Sequence, residues 1–351
     1  MPIIFTICSN NYLAQASVLG YSVREQMKTD LICLLVDEPN AAIDYSNLPL
    51  TIIPIRNIEA NIDVLAEKYN IIELNACLKP SGFKYFMDNF KEEKIIFLDP
   101  DTMIFSSFDT IEQLLDLHEI LLTPHILSPI SPDKKRPSEN TFLNYGLYNA
   151  GFIAVRGSEE STKFINWWKE RTHENGFDKV HDGIYADQLY LNLVPVFFKG
   201  VHIIADIGCN VAPWNIHERY LTKANGVLKV NDQDTLKFFH FGSFIINSNE
   251  LPVHYYNRFF LKDREDLHEL YDSYNKKLLA AGYLSYHKID CCYFERYIDH
   301  KLAGIETAEQ IKWSRHSFLK KLFYRIVPKS AVKVLLAKTT NVFNGYPYAD
   351  F

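Results

Sequence analysis

Cysteine is scarce and poorly placed for metal or redox work: six thiols in 351 residues, none paired at finger or redox spacing. That argues against a zinc-ribbon module and offers no framework for a disulfide-stapled secreted domain. Cys8 and Cys33 fall in apolar, strand-like runs, where a thiol acts as a small hydrophobe. No stretch approaches the roughly 18 uninterrupted apolar residues of a membrane span. The opening residues, Met1 to Cys8, lack the basic and long apolar regions of a secretion leader. These absences lead to the expectation of a cytoplasmic protein in a reducing compartment. Positive charge is also in short supply, and a net charge of −6 argues against a general nucleic-acid binder. Internal repeats and low-complexity tracts are missing as well.

What is present is apolar. Hydrophobic residues make up 47% of the chain, with 24 Phe and 21 Tyr, enough for a sizeable core. Ile3 to Cys8 reads as a first strand, Leu31 to Val36 as a second and Thr51 to Ile55 as a third. Leu13 to Gln26 has helical periodicity, with Ser9 or Asn10 placed to cap it. Strand–helix–strand order predicts a parallel sheet with right-handed crossovers. A helix is expected over Ile71 to Asn89, kinked or restarted at Pro80. Others are expected over Phe108 to Leu117, over Ser158 to Thr172 and from Tyr185 onward. Further strands are predicted at Glu119 to Thr123, Asn149 to Val155 and Leu236 to His240. His125 to Thr141, with three prolines and Lys134-Lys135-Arg136, is the best candidate for a mobile loop. Gly208 to Arg219 is too irregular for one element, and helices without clear strands take over from Leu251.

One stretch concentrates the chemistry. Two apolar runs, Ile95 to Leu98 and Met103 to Phe105, flank Asp99-Pro100-Asp101. Open α/β sheets bind ligands at the carboxyl ends of their strands. An Asp-x-Asp there gathers two hard oxygen ligands, with the proline restricting the backbone. A divalent cation that neutralises a diphosphate is the natural guest, although Asp-Pro-Asp is equally a turn sequence. Asn10-Asn11-Tyr12, Asn149-Ala150-Gly151, Asp187-Gln188 and His240 also fall at predicted strand ends or turns, which converge on one sheet edge. A lone histidine is more often a core residue than a ligand, but His240 ends an apolar strand in a chain that also offers Asp-x-Asp. Two carboxylates and one imidazole suit Mn²⁺, or Mg²⁺ less well. For Asp187 the competing reading is an acid at a helix N-terminus, favoured there by the dipole. Trp167 and Trp168 read as core rather than as a sugar platform.

In this order the motifs resemble GT-A-fold nucleotide-sugar glycosyltransferases, in particular the retaining hexosyltransferases of family 8 and bacterial proteins of O-antigen and polysaccharide clusters. The resemblance is carried by Ala76-Cys77-Leu78-Lys79-Pro80, Leu98-Asp99-Pro100-Asp101, Asn149-Ala150-Gly151-Phe152 and Asp187-Gln188. Asn210-Val211-Ala212-Pro213-Trp214-Asn215 and His240-Phe241 continue it, over about residues 1–250. It implies a mostly parallel, Rossmann-like sheet flanked by helices in a catalytic domain over residues 1–250, with a helical C-terminal region over 251–351. It implies a metal-dependent enzyme that moves a hexose-type sugar from a UDP-sugar to a glycan or lipid-linked glycan, with retention. The implied metal ligands are Asp99, Asp101 and His240, and the implied catalytic residues are Asp187, Gln188 and Lys79. The implied donor-binding set is Cys8, Asn10, Asn11, Tyr12, Lys79, Asp99, Asn149 and Gly242. Within it Asn10, Asn11 and Tyr12 hold uridine, and Lys79 approaches the donor sugar or diphosphate. Asn149, Asp187 and Gln188 surround the transferred sugar. Family 8 enzymes usually extend the histidine motif to Gly-x-x-Lys-Pro-Trp, which grips the diphosphate, whereas here Gly242-Ser243-Phe244-Ile245-Ile246 follows. The diphosphate clamp, and with it the stereochemical assignment, therefore lacks its usual motif.

Two alternatives use the same residues. A sugar-nucleotide nucleotidyltransferase shares the metal ligands and the sheet but normally carries a Gly-rich, basic loop after its first strand. Here that position is Ser9-Asn10-Asn11-Tyr12, without glycine or lysine. A catalytically silent sugar-nucleotide-binding or scaffold protein is the other alternative. Finally, Lys312 to Lys338 is rich in Lys and Arg with no acidic residue, and Leu319, Leu322, Phe323 and Ile326 share a helical face. It reads either as a peripheral membrane-surface anchor or as a helix packed on the domain.

Overall fold

The apolar runs become strands buried on both faces, as a mostly parallel sheet requires. The computed structural model describes residues 1–90, 93–248 and 256–313, the side chains of 304–313 excepted. Strand β1 (Ile3–Cys8) leads into α1 (Leu13–Met27), β2 (Leu31–Leu35) and β3 (Leu50–Pro54). Helices α2 (Ile62–Lys68) and α3 (Ile71–Asn89) precede β4 (Lys94–Leu98) and a short β5 (Thr102–Ile104). Next come α4 (Asp109–Leu117), β6 (Ile120–Pro124), α5 (Glu139–Tyr145), β7 (Tyr148–Arg156) and α6 (Glu159–Asn175). Short pieces follow: β8 (Asp178–Lys179), β9 (Ile184–Tyr185), α7 (Val194–Phe197) and β10 (Val201–Ile203). A small antiparallel sheet holds β11 (Leu221–Ala224), β12 (Val227–Val230) and β13 (Asp234–Thr235), and β14 (Phe238–His240) pairs with β5. The described C-terminal part is helical: α8 (His268–Ala280), α9 (Tyr283–Tyr286) and α10 (Cys292–Trp313).

The central seven-stranded sheet runs β10-β6-β7-β4-β1-β2-β3. All neighbours are parallel except β7, which is antiparallel to both β4 and β6. Side chains alternate between two cores. Phe5 and Ile7 of β1 and Phe97 of β4 face α3 and α6, while Ile4, Cys8, Ile96 and Leu98 face α1 and α4. Trp168 is fully buried in the first of these cores, as its pattern in the sequence predicts.

Two local expectations fail for identifiable reasons. The helix does not restart at Pro80, and α3 is continuous from Ile71 to Asn89. Residues Ala76 to Phe83 are all buried, so packing on both sides holds the helix across the missing N–H. Gly82 permits that close packing, since a β-carbon there would lie 2.7 Å from Leu34 Cδ1 and Phe5 Cε2. Nor does Ser9 or Asn10 cap α1. A 3₁₀ turn over Asn10–Tyr12 intervenes, and the Ser9 hydroxyl donates instead to Asn11 Oδ1 at 2.7 Å.

The His125 to Thr141 segment is tied down rather than loose. Glu218 accepts the N–H groups of Leu127 and Ser128, and the Arg258 guanidinium pairs with Asp133 at 2.8 Å. Helix α8 packs on α1 and α10 on α2, and Phe241 stacks on Tyr274 with ring centroids 3.7 Å apart. Among the described residues no helix is long and apolar enough to cross a membrane. The side chains of the basic segment from Lys312 to Lys338 lie outside the described residues.

Candidate active site

Because β7 runs against its neighbours, its first residues share an edge with the last residues of β4. Asp99 donates its N–H to the Gly151 carbonyl at 2.9 Å, and Thr102 donates back to the Asp99 carbonyl at 3.1 Å, closing the turn around Pro100. Strand β5 then lies antiparallel to β14 with Thr102 opposite His240, and the Phe241 N–H donates to the Asp101 carbonyl at 2.8 Å. That ladder carries residue 240 to residue 101. The His240 N–H donates to the Val211 carbonyl, which adds the Asn210–Asn215 loop as a further support.

The potential ligand atoms of Asp99, Asp101 and His240 all lie within 4.8 Å of one another. His240 Nε2 is 3.1 Å from Asp101 Oδ1 and 3.8 Å from Asp99 Oδ2. Burial disfavours the imidazolium, but Asp101 and then Asp99 outweigh it and hold the His240 pKa above its ordinary value. Burial likewise opposes the Asp101 carboxylate, and His240 more than offsets that, holding its pKa low. Gly151 makes room for the ring, because a β-carbon there would stand 2.7 Å from His240 Nδ1 and Asn149 Oδ1. Two carboxylates and one imidazole at an open strand end form a donor set that fits a divalent cation.

Beside this cluster lies a buried ion pair. Lys79 Nζ is 3.1 Å from Asp99 Oδ1, 3.1 Å from Asp187 Oδ2, and donates to the Ala150 carbonyl at 3.1 Å. It also sits over the Phe97 ring, 4.9 Å from the centroid. Burial works against the ammonium, yet Asp187 and Asp99 prevail and its pKa is raised. Asp187 is pushed up by burial, with Lys79 pulling the other way. Its carbonyl accepts from Trp168 Nε1 at 3.0 Å, which anchors it to α6. The helix expected from Tyr185 onward does not form there. Asp187 follows β9 and Ala186, whose φ is 43°, and helical structure begins only at Leu189, as a 3₁₀ turn over Leu189–Leu193 that runs into α7. The acid faces Lys79, so a helix dipole does not account for its position.

The other candidates divide. Gln188 accepts from the Ala150 N–H at 3.0 Å and donates to the Tyr145 carbonyl at 2.8 Å, so its amide secures the start of β7. Asn149 meets Gln188 and His125 at 3.3 Å each, at the same edge. Asn10 donates to the Glu38 carbonyl and accepts from Tyr45, which uses its amide to tie the first loop to the end of β2. Desolvation and then the Asp101 carboxylate raise the Tyr12 phenol, although 39% of the residue remains exposed. Tyr12 therefore faces the cluster, and Asn11 adjoins it in the same 3₁₀ turn. Gly242 is beside the site, its missing β-carbon 3.1 Å from the Trp214 ring. Cys8 is not brought in: its thiol lies in the core 3.5 Å from Cys33, where strand alternation turns it away.

No family model matches the chain. It is similar to the uncharacterized protein YfnF of Bacillus subtilis (strain 168), 26% identical over 275 residues, 76% of this chain and 89% of that one. YfnD of the same organism is 25% identical over 284 residues, 77% and 86%. Among solved structures it is similar to the galactosyltransferase LgtC in complex with donor and acceptor sugar analogues, at 15% identity and a TM-score of 0.44, covering 79% and 95%. Mouse xyloside xylosyltransferase 1 is similar at 14% identity and a TM-score of 0.42, covering 68% and 97%. These solved neighbours are glycosyltransferases. The likeness is remote, and function is read from the site itself.

Three site residues were not singled out from the sequence. Trp214 packs edge-on against His240 at 5.0 Å, and His125 lies 5.4 Å from Trp214. Asp37 takes the Asn10 N–H at 3.3 Å and the Cys292 N–H at 3.0 Å. Trp214 was already inside a quoted motif, but nothing in the pattern says that Asn215 would bond the Asn210 and His125 carbonyls and so aim the Trp214 loop.

Proposed function

We propose that this chain is a metal-dependent glycosyltransferase that moves a hexose-type sugar from a UDP-sugar to a glycan or lipid-linked glycan. The observation that carries the reading is the Asp99–Asp101–His240 cluster beside the buried Lys79–Asp187 pair at one sheet edge. A divalent cation, Mn²⁺ by donor set, would be held by those three side chains and would neutralise the departing diphosphate. Lys79 keeps Asp99 oriented and stops the adjacent carboxylates from repelling each other. The Asp187 carboxylate is paired with Lys79 through Oδ2 at 3.1 Å and keeps further lone pairs suited to accept from a sugar hydroxyl. Gln188 acts by positioning, since its amide already holds the backbone of Ala150 and Tyr145. Asn11 and Tyr12 line the side from which the nucleoside would approach, over a loop fixed by Asn10. We place the protein in the cytoplasm, with the catalytic domain over residues 1–250 and the basic segment from Lys312 to Lys338 as its candidate contact with the inner face of the membrane.

Incubation with Mn²⁺ and a panel of UDP-sugars, with UDP release as readout, tests the reading. Release from one UDP-sugar, abolished by chelation, is the expected result. Release of pyrophosphate from a nucleoside triphosphate and a sugar phosphate would instead identify a nucleotidyltransferase. UDP binding with no turnover on any donor would identify a silent binding protein.

A further inference from the structure

The turn that carries Asn11 and Tyr12 is held from behind by the C-terminal helices, and one carboxylate makes the joint. Asp37 lies just past the end of β2 and is 2% exposed. Its Oδ2 accepts the Asn10 N–H at 3.3 Å, and its Oδ1 accepts the Glu38 and Cys292 N–H groups at 3.0 Å each. Cys292 is the first residue of α10, since the Cys291 carbonyl already takes the Glu295 N–H at 3.1 Å. The first N–H groups of a helix have no partner within it, and a carboxylate is the acceptor that the helix dipole favours there. Asp37 therefore caps α10 with one oxygen and holds the start of the Asn10–Tyr12 turn with the other. A buried carboxylate persists where hydrogen bonds replace its hydration, and here those bonds come from segments far apart in the chain.

Further contacts stiffen this joint on both sides. The Cys291 thiol donates to the Val36 carbonyl at 3.6 Å, and Tyr293 Oη donates to Glu38 Oε1 at 3.1 Å. Deeper along α10, Arg296 pairs with Asp63 where the helix packs on α2. On the other side the Asn10 amide donates to the Glu38 carbonyl at 3.0 Å and accepts from Tyr45 Oη at 2.6 Å. Helix α9 packs directly on the Asn10–Tyr12 turn. Its Tyr283 stands close enough to Tyr12 to add, after burial and Asp101, to the rise in that phenol's pKa. Asn11 and Tyr12 thus continue a turn whose first residue is anchored to both β2 and α10.

We propose that Asp37 is a positioning residue of the donor site, tying the Asn10–Tyr12 turn to α10 so that the C-terminal helices set nucleoside affinity. This rests on the glycosyltransferase reading, and the test separates the two. Calorimetry on the full chain takes Mn²⁺ alone and UDP with Mn²⁺ as probes. Asp37→Ala should weaken UDP about tenfold while Mn²⁺ alone binds within about twofold of the wild type. Proline is accepted at the first position of a helix, so Cys292→Pro takes the α10 N–H away from Asp37 and leaves the helix in place. It should weaken UDP about threefold, whereas Cys292→Ala, which keeps that N–H, should match the wild type. The double variant Asp37→Ala/Cys292→Pro should stay within about twofold of Asp37→Ala, because both changes cut the same bond. Hydrogen exchange on the unaltered protein needs no variant to fold: UDP with Mn²⁺ should slow exchange at residues 292–297 as well as at Asn10–Tyr12. Unchanged UDP affinity in Asp37→Ala, or slowing confined to the turn, overturns the joint and leaves the donor reading standing. If the protein binds no UDP, the donor reading falls, and exchange in Asp37→Ala decides the joint. Faster exchange at both segments upholds it, and at one alone or neither overturns it.

Discussion

The side chains of Lys79 and Asp187 are 9% and 5% exposed, against 24% and 21% for Asp99 and Asp101 at the same sheet edge. In the buried half each charge already faces an opposite one, with Lys79 between two carboxylates. In the open half Asp101 has the imidazole alone and Asp99 shares Lys79 with Asp187, which leaves negative charge to spare whenever His240 is neutral. A fold that must keep its charges dry pairs them internally, whereas one that must recruit a cation leaves them short. On the function proposed above the first half is the frame and the second the binding site, and substitutions should separate the two.

The largest expected effect is on the frame. Lys79→Met strands Asp187 and should cost about 3–5 kcal/mol of stability in denaturant unfolding. The double variant Lys79→Met/Asp187→Leu should be less destabilised than Lys79→Met alone, because no uncompensated charge stays buried. A double variant worse than the single would mean that the pair is not a self-contained unit. In the protein that still folds, Asp187→Ala should lower kcat far more than it weakens UDP binding, and a pure rise in KM would demote the residue to ground-state binding.

Next comes the open half. Asp101→Asn should weaken Mn²⁺ binding by roughly a hundredfold in calorimetry while changing apo stability by only about 1 kcal/mol. Equal losses of fold and metal would erase the contrast between the halves.

Acidity sharpens it further. His240 must lose its proton to bind a metal, and Asp101 and Asp99 raise its pKa in the metal-free protein. Mn²⁺ affinity should therefore fall about tenfold per pH unit once pH drops below that raised pKa, from a point above the usual ~6.5. The metal-free fold has the opposite sign: the His240 contribution to stability is full below its unfolded pKa and fades as pH rises through the folded one. Asp101, held low, contributes above its unfolded pKa and loses that contribution as pH falls through its folded one. Mn²⁺ affinity that stays flat across this range would remove His240 from the ligand set.

The smallest effect should come from Gly151→Ala, which presses a methyl on the His240 ring and Asn149. Displacing the imidazole should weaken Mn²⁺ by about threefold to tenfold with little change in UDP affinity measured without metal. A neutral result would show that the ring can shift without cost.

Much of the frame was legible in the chain. The runs at Ile3–Cys8, Leu31–Leu35 and Lys94–Leu98 became central strands because apolar residues on both faces of a strand have only a doubly covered sheet to go to. Periodicity likewise placed α1, α4 and α6 to within a few residues. Pro80 misled because local propensity is overridden where every neighbour is buried. The stretch after Tyr185 misled because its apolar spacing suits a helix, while the demand to face Lys79 bends Ala186 into positive φ. The resemblance puts Cys8 in the donor-binding set, whereas its apolar run reads it as a small hydrophobe, and the alternation of β1 turns its thiol to Cys33 in the core.

By itself, then, the sequence determined most of the central strands, the long helices beside them and the residue types that can hold a cation, since these follow from composition and spacing along the chain. The tertiary structure decided which of those residues meet. Antiparallel β7 delivers Asn149 and Gly151 to the end of β4, and the β5–β14 ladder sets His240 beside Asp101. Such contacts join positions far apart in the chain, more than a hundred residues for Asp101 and His240 and for Lys79 and Asp187. Strand direction and pairing are settled by the packing of the whole sheet, which local pattern does not encode.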